Sequence, residues 1–301
     1  VLIHANAVGA PVPSLLVATP TFLMYAEGDR RQPAVASTGG GGYRVLSATS
    51  DGTVFVSFDD GAFANVETIT PALTSRKLKM FPRGTTIFPA TDGFLAYEPS
   101  AQLVRRYDAR GSLIGAPVVA LGATEALGVA DAIVTLGNGR LRTFERSGRE
   151  RREINLDGNS LTPLPDARFA VYDARDGEVR AYTAALEQTA QLRYVGLPVR
   201  ALASAPDGAL AVLAGTPACV TSNAEIDVFT DLHAQPAVRI HGIGNARAIA
   251  VGTDTVYAVN APCGTEQEGS VSAYGRDGTP LGTMRNMGTP TSIIPFRRTA
   301  S

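Results

Sequence analysis

Residues 198–214 read PVRALASAPDGALAVLA, two short apolar runs joined by Asp207-Gly208. An Asp-Gly pair between apolar runs is a strong signal for a β-hairpin, because glycine supplies the positive φ that the tight turn needs. Two further apolar runs follow before Gly244. The segment therefore predicts four short strands, at 200–205, 209–214, 225–229 and 237–243.

The same order of runs and turns recurs along the whole chain. Glycines mark the ends of the units at intervals of 36 to 48 residues, at Gly42, Gly84, Gly122, Gly158, Gly196, Gly244 and Gly288. A period of about 40 residues filled with short strands is the sequence pattern of β-propeller blades. We therefore predict an all-β fold, a β-propeller with four-stranded blades.

The two ends of the chain form one further unit. Residues 289–297 have the pattern of a first strand without partners, whereas 14–40 has the pattern of a second, third and fourth strand. Pairing of the C-terminal strand with the N-terminal blade would close a ring of seven blades in one domain, residues 1–301. The predicted blades are 289–301 plus 13–42, 43–84, 85–122, 123–158, 159–196, 197–244 and 245–288.

Two other arrangements of the ends are open. Six blades would result if residues 1–42 and 289–301 packed only as an irregular cap. Alternatively, residues 1–12 could supply their own first strand, which would make the C-terminal strand redundant.

Composition excludes several classes of partner. The formal net charge is −1, so no large basic field favours nucleic acid or an anionic membrane. No apolar run approaches the roughly 18 residues of a membrane helix. We expect a monomeric domain with no nucleic-acid partner and no membrane insertion. The chain begins at Val1 rather than Met, which indicates a processed or trimmed form.

The two cysteines, Cys219 and Cys263, follow the second apolar run of adjacent units. Equivalent loops of adjacent blades lie close together, so we predict a disulfide between them. A disulfide indicates an oxidising compartment: the periplasm, the cell surface or the extracellular space. The alternative is two free thiols in a cytosolic protein.

Two stretches resemble known propeller families. APDGALAVL at 205–213 resembles the Pro-Asp-Gly hairpin of NHL-repeat, YVTN-type and gluconolactonase-like propellers, and GSVSAYGRDGTPLGTM at 269–284 resembles their second hairpin. WD repeats are disfavoured because the chain contains no Trp. The resemblance implies the fold and leaves the function open, since propellers serve as enzymes, receptors and scaffolds.

Propellers usually bind ligands where the first strands begin, at the mouth of the central channel. Counting back from the first turn of each unit places equivalent residues there: Arg44, Thr85, Glu125, Arg200, Arg247 and Ser292, with Thr162 as a less regular member. The planar guanidinium of arginine suits carboxylates and phosphates. This pattern predicts a cationic mouth for an anionic ligand. The structural alternative is that the arginines bond carbonyls of neighbouring blades, pair with Glu125 or are solvated.

Signals for a metal or for catalysis are weaker. The turn DARDGE carries three acids that could hold Ca²⁺, Asp173, Asp176 and Glu178, but it lacks the alternating carboxylates of a strong calcium loop, which favours a solvated turn. The chain has three histidines, none of them at the predicted mouth: His4, His233 and His241. A gluconolactonase-like metal site would need several acidic and amide ligands in the channel, where Glu125 is the one acid.

We therefore predict a non-catalytic, extracytoplasmic propeller without a cofactor, which binds a protein or an anionic small ligand at the channel mouth. Whether the protein is an enzyme stays open, since a lactonase-like hydrolase or a lyase could take its site residues from the top loops. A third possibility is a structural module of a larger cell-surface protein.

Overall fold

A computed structural model describes residues 14–27, 30–35, 41–194, 197–216, 218–219, 223–232, 235–263 and 268–296. Regular structure in these ranges consists of 28 β-strands. None of these residues forms a helix long and apolar enough to cross a membrane. The prediction of an all-β fold is confirmed.

The strands are short and follow one another closely. In chain order they are β1 (Ser14–Ala18), β2 (Leu23–Glu27), β3 (Arg30–Val35), β4 (Gly41–Ala48), β5 (Val54–Asp59), β6 (Phe63–Ile69), β7 (Ser75–Pro82), β8 (Thr86–Ala90), β9 (Gly93–Glu98), β10 (Leu103–Asp108), β11 (Leu113–Val119), β12 (Glu125–Val129), β13 (Ala132–Gly137) and β14 (Arg140–Phe144). The second half contains β15 (Glu150–Asn155), β16 (Gly158–Leu164), β17 (Arg168–Asp173), β18 (Glu178–Thr183), β19 (Gln188–Arg193), β20 (Val199–Ser204), β21 (Leu210–Ala214), β22 (Glu225–Phe229), β23 (Val238–His241), β24 (Ala246–Val251), β25 (Thr255–Asn260), β26 (Ser270–Gly275), β27 (Pro280–Met284) and β28 (Ser292–Pro295).

Within the described ranges the strands form five four-stranded sheets and one eight-stranded sheet. Four of the four-stranded sheets take consecutive strands: β4–β7, β16–β19, β20–β23 and β24–β27. The eight-stranded sheet consists of two such sets, which we call the β8–β11 half and the β12–β15 half. Consecutive strands within each set are antiparallel. This is a β-propeller arrangement with four-stranded blades.

The β20–β23 sheet follows the four runs predicted for it. Its strands begin and end within two residues of the predicted limits, and β22 matches its run at both ends. Gly208 in the first turn has φ of 92°, and its N–H donates to Ala205 O at 2.9 Å. The Asp207-Gly208 turn therefore has the positive-φ conformation that the sequence predicted.

The two halves of the eight-stranded sheet are joined by a single parallel bridge between Ala90 of β8 and Gly128 of β12. A Cβ atom at position 128 would lie 2.4 Å from the Cβ of Ala90. The missing side chain of glycine therefore lets two first strands approach to hydrogen-bonding distance. Thr91 N–H also donates to Gly128 O at 3.1 Å.

The first strand of the remaining sheet comes from the other end of the chain. This sheet has the order β28-β1-β2-β3, and β28 pairs antiparallel with β1 from Leu15–Pro295 to Ala18–Ser292. Phe296 N–H donates to Ser14 O at 2.9 Å, which extends the pairing. β28 also lies beside the first strands β24 and β4. The alternative first strand at residues 1–12 lies outside the described residues.

Apolar side chains fill the spaces between neighbouring sheets. Between the β4–β7 sheet and the β8–β11 half, the rings of Phe94 and Tyr107 stack at 5.1 Å, and Phe81 meets both edge-on. The second strands have apolar neighbours on both faces, and all five residues of β21 are buried. Each fully buried large side chain stabilises the fold by roughly 1.5–3 kcal/mol.

The Gly128–Ala90 approach is testable. We expect Gly128→Ala to lower the free energy of unfolding by about 1–3 kcal/mol, because the new methyl group forces two first strands apart. Gly252→Ala is the matched control, since its Cβ would meet Pro295 at an ordinary 3.4 Å. Urea denaturation followed by far-UV circular dichroism measures both changes. Equal stability of the two variants would contradict the close approach.

Candidate functional site

Two of the predicted mouth residues occupy the same backbone feature. In β20 the residues on either side of Arg200 pair with consecutive residues of β21, so Arg200 is the extra residue of a β-bulge. Arg247 is the extra residue at the same place between β24 and β25. Bulges re-aim side chains away from the regular alternation of a strand. Both arginines are exposed.

Arg44 lies in β4, where it pairs in register with Ser57, and it is also exposed. Among the described residues neither Arg44 nor Arg247 has a hydrogen-bond or ion-pair partner, and Arg200 Nε donates only to the carbonyl of Gly215, at 3.3 Å. The arginines on the third strands β10, β14 and β18 are instead all ion-paired: Arg105, Arg106, Arg140, Arg142 and Arg180. The three arginines predicted for the mouth thus keep donors available to a ligand.

Glu125 links two sheets. Its two carboxylate oxygens each accept a hydrogen bond at 2.7 Å, from the N–H groups of Ser160 and Leu161 in β16. Ser292 acts similarly, since its Oγ accepts from Val45 N–H of β4 at 2.9 Å. Both side chains therefore satisfy backbone donors of a neighbouring first strand.

The remaining predicted mouth residues are less available to a ligand. Thr85 is 8% exposed, and Thr162 is 6% exposed. Thr162 Oγ1 lies 3.5 Å from Ser204 Oγ of the next first strand. The arrangement thus separates the predicted set into exposed arginines and residues that are buried or occupied in contacts between sheets.

The three acids of the proposed calcium turn surround Arg180. Its guanidinium lies 2.8 Å from Asp173 Oδ2 and 2.8 Å from Glu178 Oε2, and it also contacts Asp176. Burial, opposed by the Arg180 charge, raises the pKa of Asp173. The guanidinium occupies the centre of the three acids, the position that a Ca²⁺ ion would need, so the turn is an ion-pair cluster rather than simply solvated. Among the described residues, no group of three or more His, Cys, Asp or Glu side chains has an arrangement that could hold a metal ion.

The disulfide prediction is confirmed. Cys219 and Cys263 are bonded, with their Cα atoms 5.3 Å apart, and they lie in the loops after β21 and β25. A disulfide fits an extracellular location, since reducing compartments disfavour such bonds.

Of the three histidines, His4 and His233 lie outside the described residues. His241 is in β23, exposed, with Nδ1 3.2 Å from Glu225 Oε2.

A cluster of Tyr194, Asp227 and Arg239 beside the His241–Glu225 pair was not predicted from the sequence. The signal available was the alternation of charged and apolar residues in β22 and β23, which is also typical of a solvated sheet edge.

No protein-family profile matches the chain, and no curated protein matches it in sequence. Solved β-propeller structures match it in fold. Sqt1 from Saccharomyces cerevisiae is 10% identical, with a TM-score of 0.61 over 94% of this chain and 86% of that one. A protein from Lactobacillus plantarum is 13% identical, with a TM-score of 0.61 over 94% and 98%. Apo AztD from Citrobacter koseri is 10% identical, with a TM-score of 0.57 over 95% and 98%. At such low identity the likeness is one of fold alone.

The role of Glu125 can be measured. Glu125→Ala should lower the free energy of unfolding by about 2–3 kcal/mol, because two backbone N–H groups lose charged acceptors. Glu145→Ala, which removes a surface ion pair with Arg149, should cost clearly less, because solvent screens an exposed ion pair. Chemical denaturation of both variants gives the comparison. Equal losses would show that the carboxylate of Glu125 does not link the sheets.

The disulfide closes a loop between residues 44 positions apart. Replacing both cysteines by serine should therefore lower stability by roughly 2–4 kcal/mol, chiefly through the larger entropy of the unfolded chain. Peptide mapping without reductant should recover the Cys219 and Cys263 peptides as one linked species. Two free thiols in the purified protein would refute both the bond and the argument from compartment.

Proposed function

We propose that the chain is a closed, seven-bladed propeller of an extracytoplasmic compartment. In this proposal it binds an anionic ligand non-catalytically at the channel mouth, through Arg44, Arg200 and Arg247. The ligand is a small carboxylate or phosphate, or an acidic segment of a protein.

Two observations support seven blades. The halves of the eight-stranded sheet are connected by one bridge, and each half has the four antiparallel strands of the other sheets, so five sheets plus two halves make seven blades. The first strands also follow one another in cyclic order, with β28 beside both β24 and β4. A ring leaves no sheet face without a neighbour, which favours closure.

The observation that carries the binding proposal is the unbalanced charge of the exposed arginines. Arg44, Arg200 and Arg247 have no carboxylate partner among the described side chains, and Glu125, the one acid of the set, is occupied by two backbone donors. Guanidinium groups without a counter-ion attract carboxylates and phosphates and can bind them bidentately. Glu125, Ser292 and Thr85 then support the first strands rather than touch the ligand.

The disulfide supports the proposed compartment. A bond between Cys219 and Cys263 persists where thiols are oxidised, which favours the periplasm, the cell surface or secretion. The competing function is a lactonase-like hydrolase or a lyase that takes its site residues from the top loops.

The test uses citrate, pyrophosphate and a glutamate-rich peptide as probes, titrated calorimetrically into the full chain. We expect at least one probe to bind, with affinity that falls as salt is added because the contacts are between charges. Arg200→Ala with Arg247→Ala should weaken that binding at least tenfold, about 1.4 kcal/mol, with little change in melting temperature. Arg149→Ala removes an equally positive surface charge and should leave binding unchanged.

Three outcomes would contradict the proposal. Binding that survives loss of both arginines would place the ligand elsewhere. Collapse of the fold in the double variant would make the arginines structural. A stoichiometric divalent metal in the purified protein, measured by plasma mass spectrometry, would favour the lactonase-like alternative.

A further inference from the structure

A cleft of about 520 Å³ lies at the outer end of the space between the β16–β19 and β20–β23 sheets. It is separate from the mouth arginines, none of which lines it. Its volume is within the range of small-molecule sites, roughly 300–1,000 Å³. One wall is apolar and the other is charged.

The charged wall belongs to β22 and β23. Glu225, Asp227 and Phe229 alternate along β22, so their side chains share one face. Arg239 and His241 are their register partners in β23: Arg239 faces Asp227, and His241 faces Glu225. The wall thus carries two cross-strand pairs of opposite charge, of which the histidine member is charged only when protonated.

The apolar wall comes from β19 and the segment after it. Leu192 packs in the core between the two sheets, with Tyr194 and Leu197 beside it. The ring of Tyr194 meets that of Phe229 edge-on at 6.4 Å, and its hydroxyl donates to Asp227 Oδ2 at 3.2 Å. Burial, with the negative charge of Asp227, raises the pKa of Tyr194, so the phenol stays a neutral donor.

The two acids of the cleft are not neutralised equally. Arg239 forms two hydrogen bonds to Asp227, at 2.7 and 3.2 Å, whereas its Nε lies 3.6 Å from Glu225 Oε1. Asp227 and Glu225 are only 1% and 8% exposed. Arg193 also borders the cleft, but it pairs in register with Glu178, on the face of β19 opposite to Leu192. Apart from His241, which is charged only when protonated, the two buried carboxylates share one guanidinium.

We propose that this cleft binds an organic cation, an ammonium or guanidinium group on an apolar or aromatic frame, with Glu225 as its counter-ion. The positive group completes the charge balance of the buried carboxylates. The frame packs against Tyr194, Leu197 and Phe229, and the two aromatic rings also favour a nearby cation. The chemistry is the same whether the cation is a free amine or a basic side chain of a partner protein.

The probe for this site is 2-phenylethylammonium, titrated into the full chain with ¹⁵N-labelled amides observed by NMR. Shifts should concentrate at the amides of Leu192, Tyr194 and Phe229. The neutral analogue 2-phenylethanol has the same frame and should bind at least tenfold more weakly. Lysine amide with a blocked α-amino group represents the basic side chain of a partner protein, whereas 2-phenylethylammonium represents a free amine. The difference in their affinities shows which source of the cation the cleft prefers. Tight binding of either compound supports the site.

Variants separate charge from shape. Glu225→Gln should weaken binding of the ammonium probe at least tenfold, because it removes the counter-ion and keeps the side-chain size. Glu153→Gln is the matched control, because this substitution changes the net charge by the same amount. Glu153 lies in the β12–β15 half, where it pairs with Arg140 and Arg142. If Glu225→Gln fails to fold, Leu197→Trp tests the site by filling the cleft, and it should abolish binding.

Several results would overturn the proposal. Equal affinity for the alcohol and the ammonium would show that no charge is recognised. Unchanged binding to Glu225→Gln or to Leu197→Trp would place the cation elsewhere. Absence of amide shifts at millimolar probe would show that the cleft does not bind organic cations.

Discussion

A four-stranded sheet with apolar residues on both faces is stable only with a neighbour on each side, and this constraint underlies the whole structure. The second strand β21 is buried along its length, and apolar clusters lie between successive sheets. The sheet at the two ends of the chain meets the constraint by taking β28 as its first strand, beside β1. The pairing of distant ends is therefore a consequence of burial on both faces.

Close approach of the first strands creates a second requirement, because backbone donors of one first strand need acceptors from its neighbour. Glu125 supplies two oxygens to the N–H groups of β16, and Ser292 supplies one to β4. These polar side chains act as connections between sheets. The arginines nearby have no such task among the described contacts, and this difference is the basis for proposing that they meet a ligand.

The two proposed sites differ in charge and in origin. In the proposed anion site, Arg44, Arg200 and Arg247 are exposed residues of first strands, and two of them lie at β-bulges. In the proposed cation site, the cleft between the β16–β19 and β20–β23 sheets, the buried carboxylates occupy third-strand positions. A nearly neutral chain can thus present two selective surfaces, because burial and pairing set the local field rather than the net charge of −1.

The sequence by itself determined the all-β class, the hairpin turns such as Asp207-Gly208 and the pattern of four-strand units. It also determined the pairing of Cys219 with Cys263, through their equivalent places in adjacent units. These follow from periodicity and turn chemistry, which act over a few residues and repeat. Tertiary structure alone decided that Gly128 meets Ala90, that Arg180 lies among the three acids, and that Asp227 is buried beside Tyr194. Such contacts join residues of different strands or sheets, so their identity depends on how sheets pack against each other, which no local pattern encodes.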